Sequence, residues 1–79
     1  MPWGNVTVTG QDGRDIFLDG NYESACGRAP GPFVVTYGIH TFETLDTSLH
    51  VECCGNAKVN KTNPAVTIVL VPVKPQGSV

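Results

Sequence analysis

Apolar and polar residues along this chain take turns with a period of two. In Asn5-Val6-Thr7-Val8-Thr9 valines alternate with polar residues, the pattern of a strand with one buried face. Gln11-Asp12-Gly13 reads as a turn, and Asp15-Ile16-Phe17-Leu18 as the next strand, with Ile16 and Leu18 sharing a face. Asp19-Gly20 is a two-residue hairpin signal, because both central residues of a type I′ turn need positive φ. The return strand is expected to start at Asn21-Tyr22-Glu23, and residues 24–32, with Gly27, Pro30, Gly31 and Pro32, to form a loop.

Residues 33–37 predict a strand with Phe33, Val35 and Tyr37 on one face. Gly38-Ile39 turns the chain and residues 40–45 run back. After the softer Asp46-Thr47-Ser48, the residues Leu49, Val51 and Cys53 alternate with His50, Glu52 and Cys54, which predicts Cys53 in the core beside Leu49 and Val51. Gly55-Asn56 reads as another tight turn, residues 57–62 as its return strand, and Asn63-Pro64 as a break. Residues 66–71 are nearly all apolar, as expected of a central strand covered on both sides, with Ile68 and Leu70 in the core. Pro72 and Pro75 end that strand. No window has a helical face. The expected fold class is therefore all-β, a small antiparallel β-sandwich of immunoglobulin-like or prealbumin-like kind, or one closing as a barrel.

At 79 residues the chain is one domain, 1–79, with a short N-terminal arm at 1–4 and a C-terminal tail at 74–79. A core of this size stabilises by only about 3–5 kcal/mol and leaves little room for a deep pocket, which argues against an enzyme. The net charge is -2, and Arg14, Arg28, Lys58, Lys61 and Lys74 are scattered, whereas binding a phosphate backbone needs clustered cations; nucleic acid is not an expected partner. Only 15% of residues are charged, so much of the surface falls to Thr, Asn, Gly and Ser, which suits packing against a protein partner. The longest apolar run, 66–73, is too short to span a bilayer, and no basic start or apolar stretch of signal-peptide length is visible.

Cys26, Cys53 and Cys54 with His40 and His50 raise the question of a metal. Zinc needs four convergent ligands, a strand sends His50 and Cys53 to opposite faces, and no Cys-x-x-Cys pair exists, so no metal or other cofactor is expected. Three free thiols are expected; the alternative is a disulfide from Cys26 to Cys53 or Cys54. Asp12, Asp15 and Asp19 read as turn formers and do not match a calcium loop. Nothing supplies a nucleophile with its base and oxyanion hole, so no catalytic residue is assigned. The aromatic residues fall mostly at core-facing strand positions; Trp3, between Pro2 and Gly4, is outside the alternation and either plugs its own sandwich or anchors in a neighbour.

The block Gln11-Asp12-Gly13-Arg14-Asp15-Ile16-Phe17-Leu18-Asp19-Gly20-Asn21-Tyr22 resembles the PEGA domain, and Pro32-Phe33-Val34-Val35 through Tyr37-Gly38-Ile39-His40-Thr41-Phe42 is similar to that family's later Pro-Gly-x-His hairpin. The likeness runs from Val6 to Thr44; of the name-giving Pro-Glu-Gly-Ala turn only Gly13 is kept. The resemblance implies a small β-sandwich module of bacterial surface and envelope proteins, with no catalytic residues.

The expected function is that of a non-catalytic structural or interaction module, a small accessory subunit (decoration or tail type) of a large assembly such as a phage virion. It would be made in the cytoplasm and contact protein partners, copies of itself included. The alternative is a PEGA-like domain of the bacterial cell surface that binds carbohydrate or protein. The expected partner contacts are Pro2 and Trp3 on the arm and Lys74, Pro75 and Val79 on the tail; the expected turn formers are Asp19, Gly20, Gly38 and Gly55.

Overall fold

The structure, a computed structural model, describes residues 2–73. Eight strands follow in order: β1 (Trp3–Thr9), β2 (Asp15–Leu18), β3 (Gly27–Arg28), β4 (Phe33–Thr36), β5 (Gly38–Leu45), β6 (Val51–Val59), β7 (Ala65–Val69) and β8 (Val71–Pro72). They form two sheets, one of three strands in the order β4-β1-β7 and one of five in the order β3-β2-β5-β6-β8. The fold is a small all-β sandwich without helix among the described residues. One pairing departs from the antiparallel expectation: β1 and β7 run parallel, Asn5 opposite Ala65 through Thr9 opposite Val69. A parallel pair needs a long crossover, and here β4 and four of the five strands of the larger sheet, β2, β3, β5 and β6, are built between the two strands.

The core lies between the sheets. Val6, Val8, Phe33 and Val35 of the smaller sheet meet Ile16, Phe42, Cys53, Ala57 and Val59 of the larger one. The rings of Phe33 and Phe42 face each other across the sandwich with centroids 6.0 Å apart. Two inward-facing positions are short of room for a side chain, Gly4 far more than Gly55. A Cβ on Gly4 would collide with Val59 Cγ1 and the Pro64 carbonyl. A Cβ on Gly55 would lie 3.0 Å from Leu70 Cδ2 and 3.3 Å from the Val69 carbonyl oxygen.

That crowding corrects the reading of Gly55 as a turn former. Gly55 sits inside β6, opposite Phe42 of β5, and Gly55-Asn56 continues the longest strand of the molecule. Glycine there admits the Leu70 side chain. Leu49 is not in that strand either: at φ +63 it closes the Asp46–Leu49 turn, where its N–H bonds to the Asp46 carbonyl, and its side chain is exposed.

Asp19 and Gly20 take φ +51 and +76, and the Asn21 N–H donates to the Leu18 carbonyl across them, the geometry of a type I′ turn. The chain then bulges outward, and the pairing strand is β3 at Gly27–Arg28, inside the segment expected to be loop. Gly38 at φ +132 also turns the chain, but as a corner between sheets: β4 belongs to the smaller sheet and β5 to the larger, so residues 33–45 are not a hairpin.

The apolar run 66–71 is not a central strand. β7 is the edge of the smaller sheet; Leu70 is buried at the corner, Val66 and Ile68 are half-buried, and Thr67, Val69 and Val71 are exposed. Trp3 and Gly4 are not an arm either: they begin β1, with Trp3 opposite Thr36. Lys74, Pro75 and Val79 lie outside the described residues.

Candidate interaction surface

The two outer faces of the sandwich differ in charge. On the larger sheet the outward positions include Asp15, Arg28, Glu43, Glu52 and Lys58, with Arg28 paired to Asp15 and Arg14 bonded to Glu52 at 2.6 Å. On the smaller sheet, alternation sends Trp3, Asn5, Thr7 and Thr9 of β1, Val34 and Thr36 of β4, and Ala65, Thr67 and Val69 of β7 to the outside. None of these nine is charged. Val34 and Val69 are each more than three-fifths exposed and Trp3 nearly half. An uncharged flat face with exposed apolar groups is the composition of a contact surface, whose centre is depleted in charge and enriched in aromatic residues.

The sheet edges differ as well. Unpaired strand edges invite other chains, and proteins blunt them with proline, charge, brevity or a cap. β3 is two residues long and carries Arg28; β8 is two residues long and ends on Pro72. β4 follows Pro30 and Pro32, and its last carbonyl, that of Thr36, lies 2.7 Å from His40 Nε2. β7 carries neither proline nor charge. Its ladder to β1 is bracketed by Asn5 N–H to the Pro64 carbonyl at 2.7 Å and Leu70 N–H to the Thr9 carbonyl at 3.2 Å. The backbone groups of even-numbered residues therefore point at β1, and those of Ala65, Thr67 and Val69 point away from β1, the Val69 carbonyl toward Gly55 of β6.

The candidate chemistry resolves into structure. His40 Nδ1 lies 2.7 Å from Asp19 Oδ2, while Asp19 Oδ1 accepts the Thr41 N–H at 2.8 Å. The hydrogen bond to Asp19 raises the His40 pKa; burial works against it and the Thr36 carbonyl reinforces it. Burial of Asp19 would raise its own pKa, but the bonds from His40 and Thr41 outweigh it and hold the carboxyl low. Both ring nitrogens of His40 thus face acceptors and the imidazole has no free lone pair for a substrate or metal. It staples the β2 turn to the β4–β5 corner.

Of the residues singled out in the sequence, the structure gathers Pro2, Trp3, Asp19, Gly20 and Gly38 toward one end of the sandwich. The Tyr37 N–H donates to the Pro2 carbonyl at 3.0 Å, Trp3 pairs with Thr36, and Asp19 reaches the corner through His40. Gly55 lies apart on β6. Cys26 is exposed, Cys53 buried and Cys54 half-buried, and all are free thiols. Among the described residues no three of His, Cys, Asp and Glu converge as metal ligands. No helix among them is long and apolar enough to cross a membrane. Sequence reading missed the β7 edge; its signal was an uncharged run bracketed by Pro64 and Pro72, prolines that confine an edge strand as readily as they end a central one. No family model, no curated protein and no solved structure matches this chain.

Proposed function

We propose that this protein is a non-catalytic interaction module, an accessory subunit of a larger assembly of the virion type, which docks through the smaller sheet. The observation behind this reading is the uncharged outer face of the smaller sheet. The uncharged face of Trp3, Asn5, Thr7 and Thr67 runs to the edge strand β7, while the outer face of the larger sheet carries Asp15, Arg28, Glu43, Glu52 and Lys58. A free monomer gains nothing from a face without charge that exposes apolar groups, so such a face is one that a partner covers. The contact residues shift accordingly, from terminal arms to β1 and β7.

Purification from the native source without denaturant, followed by the mass of the particle that holds the chain, tests this. A particle far above the 8.4 kDa of the chain is expected. Recovery only as free chain or small oligomers would overturn it.

A PEGA-like surface domain is the second reading. Trp3 favours its carbohydrate-binding form: an exposed indole beside Asn5 and Thr36 offers a stacking plane with polar groups at hand. Binding to immobilised cell-wall glycans that disappears in Trp3→Ala would select it.

A further inference from the structure

We propose that Phe17, Tyr22 and Glu43, on the outer face of the larger sheet, form a binding site for a guanidinium group, the side chain of an arginine presented by a partner protein. Alternation puts Phe17 on that face, between the buried Ile16 and a Leu18 that packs on the core, and puts Glu43 there between the buried Phe42 and Thr44. The ladder sets Phe17 directly opposite Glu43, and Glu43 opposite Cys54 of β6. Tyr22 arrives from beyond the type I′ turn and lays its ring against Phe17, with centroids 6.2 Å apart and planes tilted by 53°. Its hydroxyl donates to Glu43 Oε1 at 2.6 Å. Rings and carboxylate thus converge from separate segments, on the side of the sandwich opposite the uncharged face.

Charge decides what this spot accepts. Of the carboxylates on the same face, Asp15 is paired with Arg28 and Glu52 with Arg14, whereas Glu43 has no cation within ion-pair distance among the described residues. Glu43 is half-buried, so water screens it less than an exposed carboxylate and an incoming cation feels it more strongly. The Tyr22 hydroxyl occupies one of its oxygens; the other accepts no hydrogen bond among the described residues. The adjoining ring faces attract cations through their quadrupole, and Tyr22, nearly half exposed, is open to a ligand. A guanidinium fits better than an ammonium. It is planar, stacks on a ring while its N–H groups bond a carboxylate, and is weakly hydrated, so a shallow site that strips little of its water can hold it. An ammonium is strongly hydrated and needs a deeper cage. The same shallowness covers the cation on one side only, which leaves the other side to the surface of the partner that carries it.

The test is a proton NMR titration of the whole chain with a blocked glycine-arginine-glycine peptide, run beside the same peptide with citrulline or lysine in the middle. The arginine peptide should shift the ring protons of Phe17 and Tyr22 saturably, with a Kd on the order of 10 mM. Citrulline, which keeps the shape and loses the charge, should bind at least about fivefold more weakly, and lysine should also be weaker. Glu43→Gln should lose about fivefold or more. Tyr22→Leu should lose about three- to fivefold, while Tyr22→Phe, which keeps the ring and releases the carboxylate, should bind at least as well as the wild type. The two Tyr22 variants alter an exposed side chain and keep the test valid should Glu43→Gln fail to fold. No saturable shift with the arginine peptide would overturn the proposal. So would equal binding of the citrulline or lysine peptide, unchanged binding by folded Glu43→Gln, or equal losses in Tyr22→Phe and Tyr22→Leu. Methylguanidine bound by itself more tightly than about 0.1 mM would mark a small-molecule site and overturn the assignment to a partner protein.

Discussion

His40 and Asp19, twenty-one positions apart, meet at 2.7 Å and hold the turn after β2 against the corner between the sheets. Because the second ring nitrogen of His40 lies 2.7 Å from the Thr36 carbonyl, only the imidazolium satisfies both partners. The His40 pKa is raised in the folded protein, so its stabilisation is full below the unfolded value of 6.5 and is lost as pH rises through the folded one. The Asp19 pKa is lowered, so its share is full above 3.8 and is lost as pH falls through the folded value. Stability should therefore be highest between these limits. Asp19 is nearly half exposed and screened by water, which keeps the effect to about 1 kcal/mol. Urea unfolding at mildly acidic and at alkaline pH should show the loss on the alkaline side. Asp19→Asn, which tolerates the same positive φ, should flatten it; an unchanged pH profile in that variant would remove His40 from this role.

Two glycines face the core, and they should respond differently to the same substitution. The Cβ of Gly4→Ala would strike the Pro64 carbonyl, a backbone atom that cannot move without breaking the bond from the Asn5 N–H. A cost of about 2–3 kcal/mol is expected. Gly55→Ala would press on a Leu70 methyl group, the far end of a flexible side chain, and should cost about 1 kcal/mol or less. Chemical denaturation of the two variants side by side checks the order, and equal costs would mean that the β7–β8 corner is as rigid as the backbone at Pro64.

Leu70 and Ile68 occupy the same apolar run but unequal places. Leu70 is buried at the corner against Gly55, so Leu70→Ala should cost roughly 2–5 kcal/mol, comparable with the whole stability of so small a domain. Ile68 is half-buried on an edge strand, and Ile68→Ala should cost about half as much. Melting curves in which Ile68→Ala is the worse of the two would place β7 back in the interior.

At the tip of the β5–β6 hairpin Leu49 holds φ +63, a region in which a branched residue pays about 1–2 kcal/mol, with its side chain three-quarters exposed. Leu49→Gly should leave the protein equally stable or stabilise it by up to about 1 kcal/mol, the relief of strain being partly offset by the entropy of glycine in the unfolded chain. A clear loss on thermal melting would show that the Leu49 side chain packs on something other than solvent.

What could be read from the sequence follows from which interactions are local. The all-β class and the Asp19-Gly20 turn rest on alternation and on φ preferences within a few residues. Gly55 was misread because a glycine demanded by close packing and one demanded by a turn look alike in sequence; the neighbour that distinguishes them, Leu70, is fifteen positions away. The run at 66–71 was misread because outward Val69 and Val71 on an edge have the composition of a strand buried on both sides. The candidate surface, being an edge and a face, depends on strand order, and strand order is fixed by contacts such as Asn5 with Ala65 that no local pattern encodes.

Thr44 is wholly buried in β5, on the face that also carries Phe42, and its hydroxyl oxygen has no hydrogen-bond partner among the described residues. A buried hydroxyl left without a partner costs about 1–3 kcal/mol in lost hydration. Valine has nearly the same shape, needs no partner, and suits a strand at least as well as threonine. Thr44→Val should therefore stabilise the domain, by about 1 kcal/mol once imperfect packing is allowed for. Since small domains melt with little entropy, that gain should raise the melting temperature by about 4–8 °C. Serine at the same position supplies the control: it keeps the hydroxyl, loses the methyl group, and should destabilise. If Thr44→Val melts below the wild type, the hydroxyl is bonded in solution and the interior of the sandwich is wetter than its apolar lining implies.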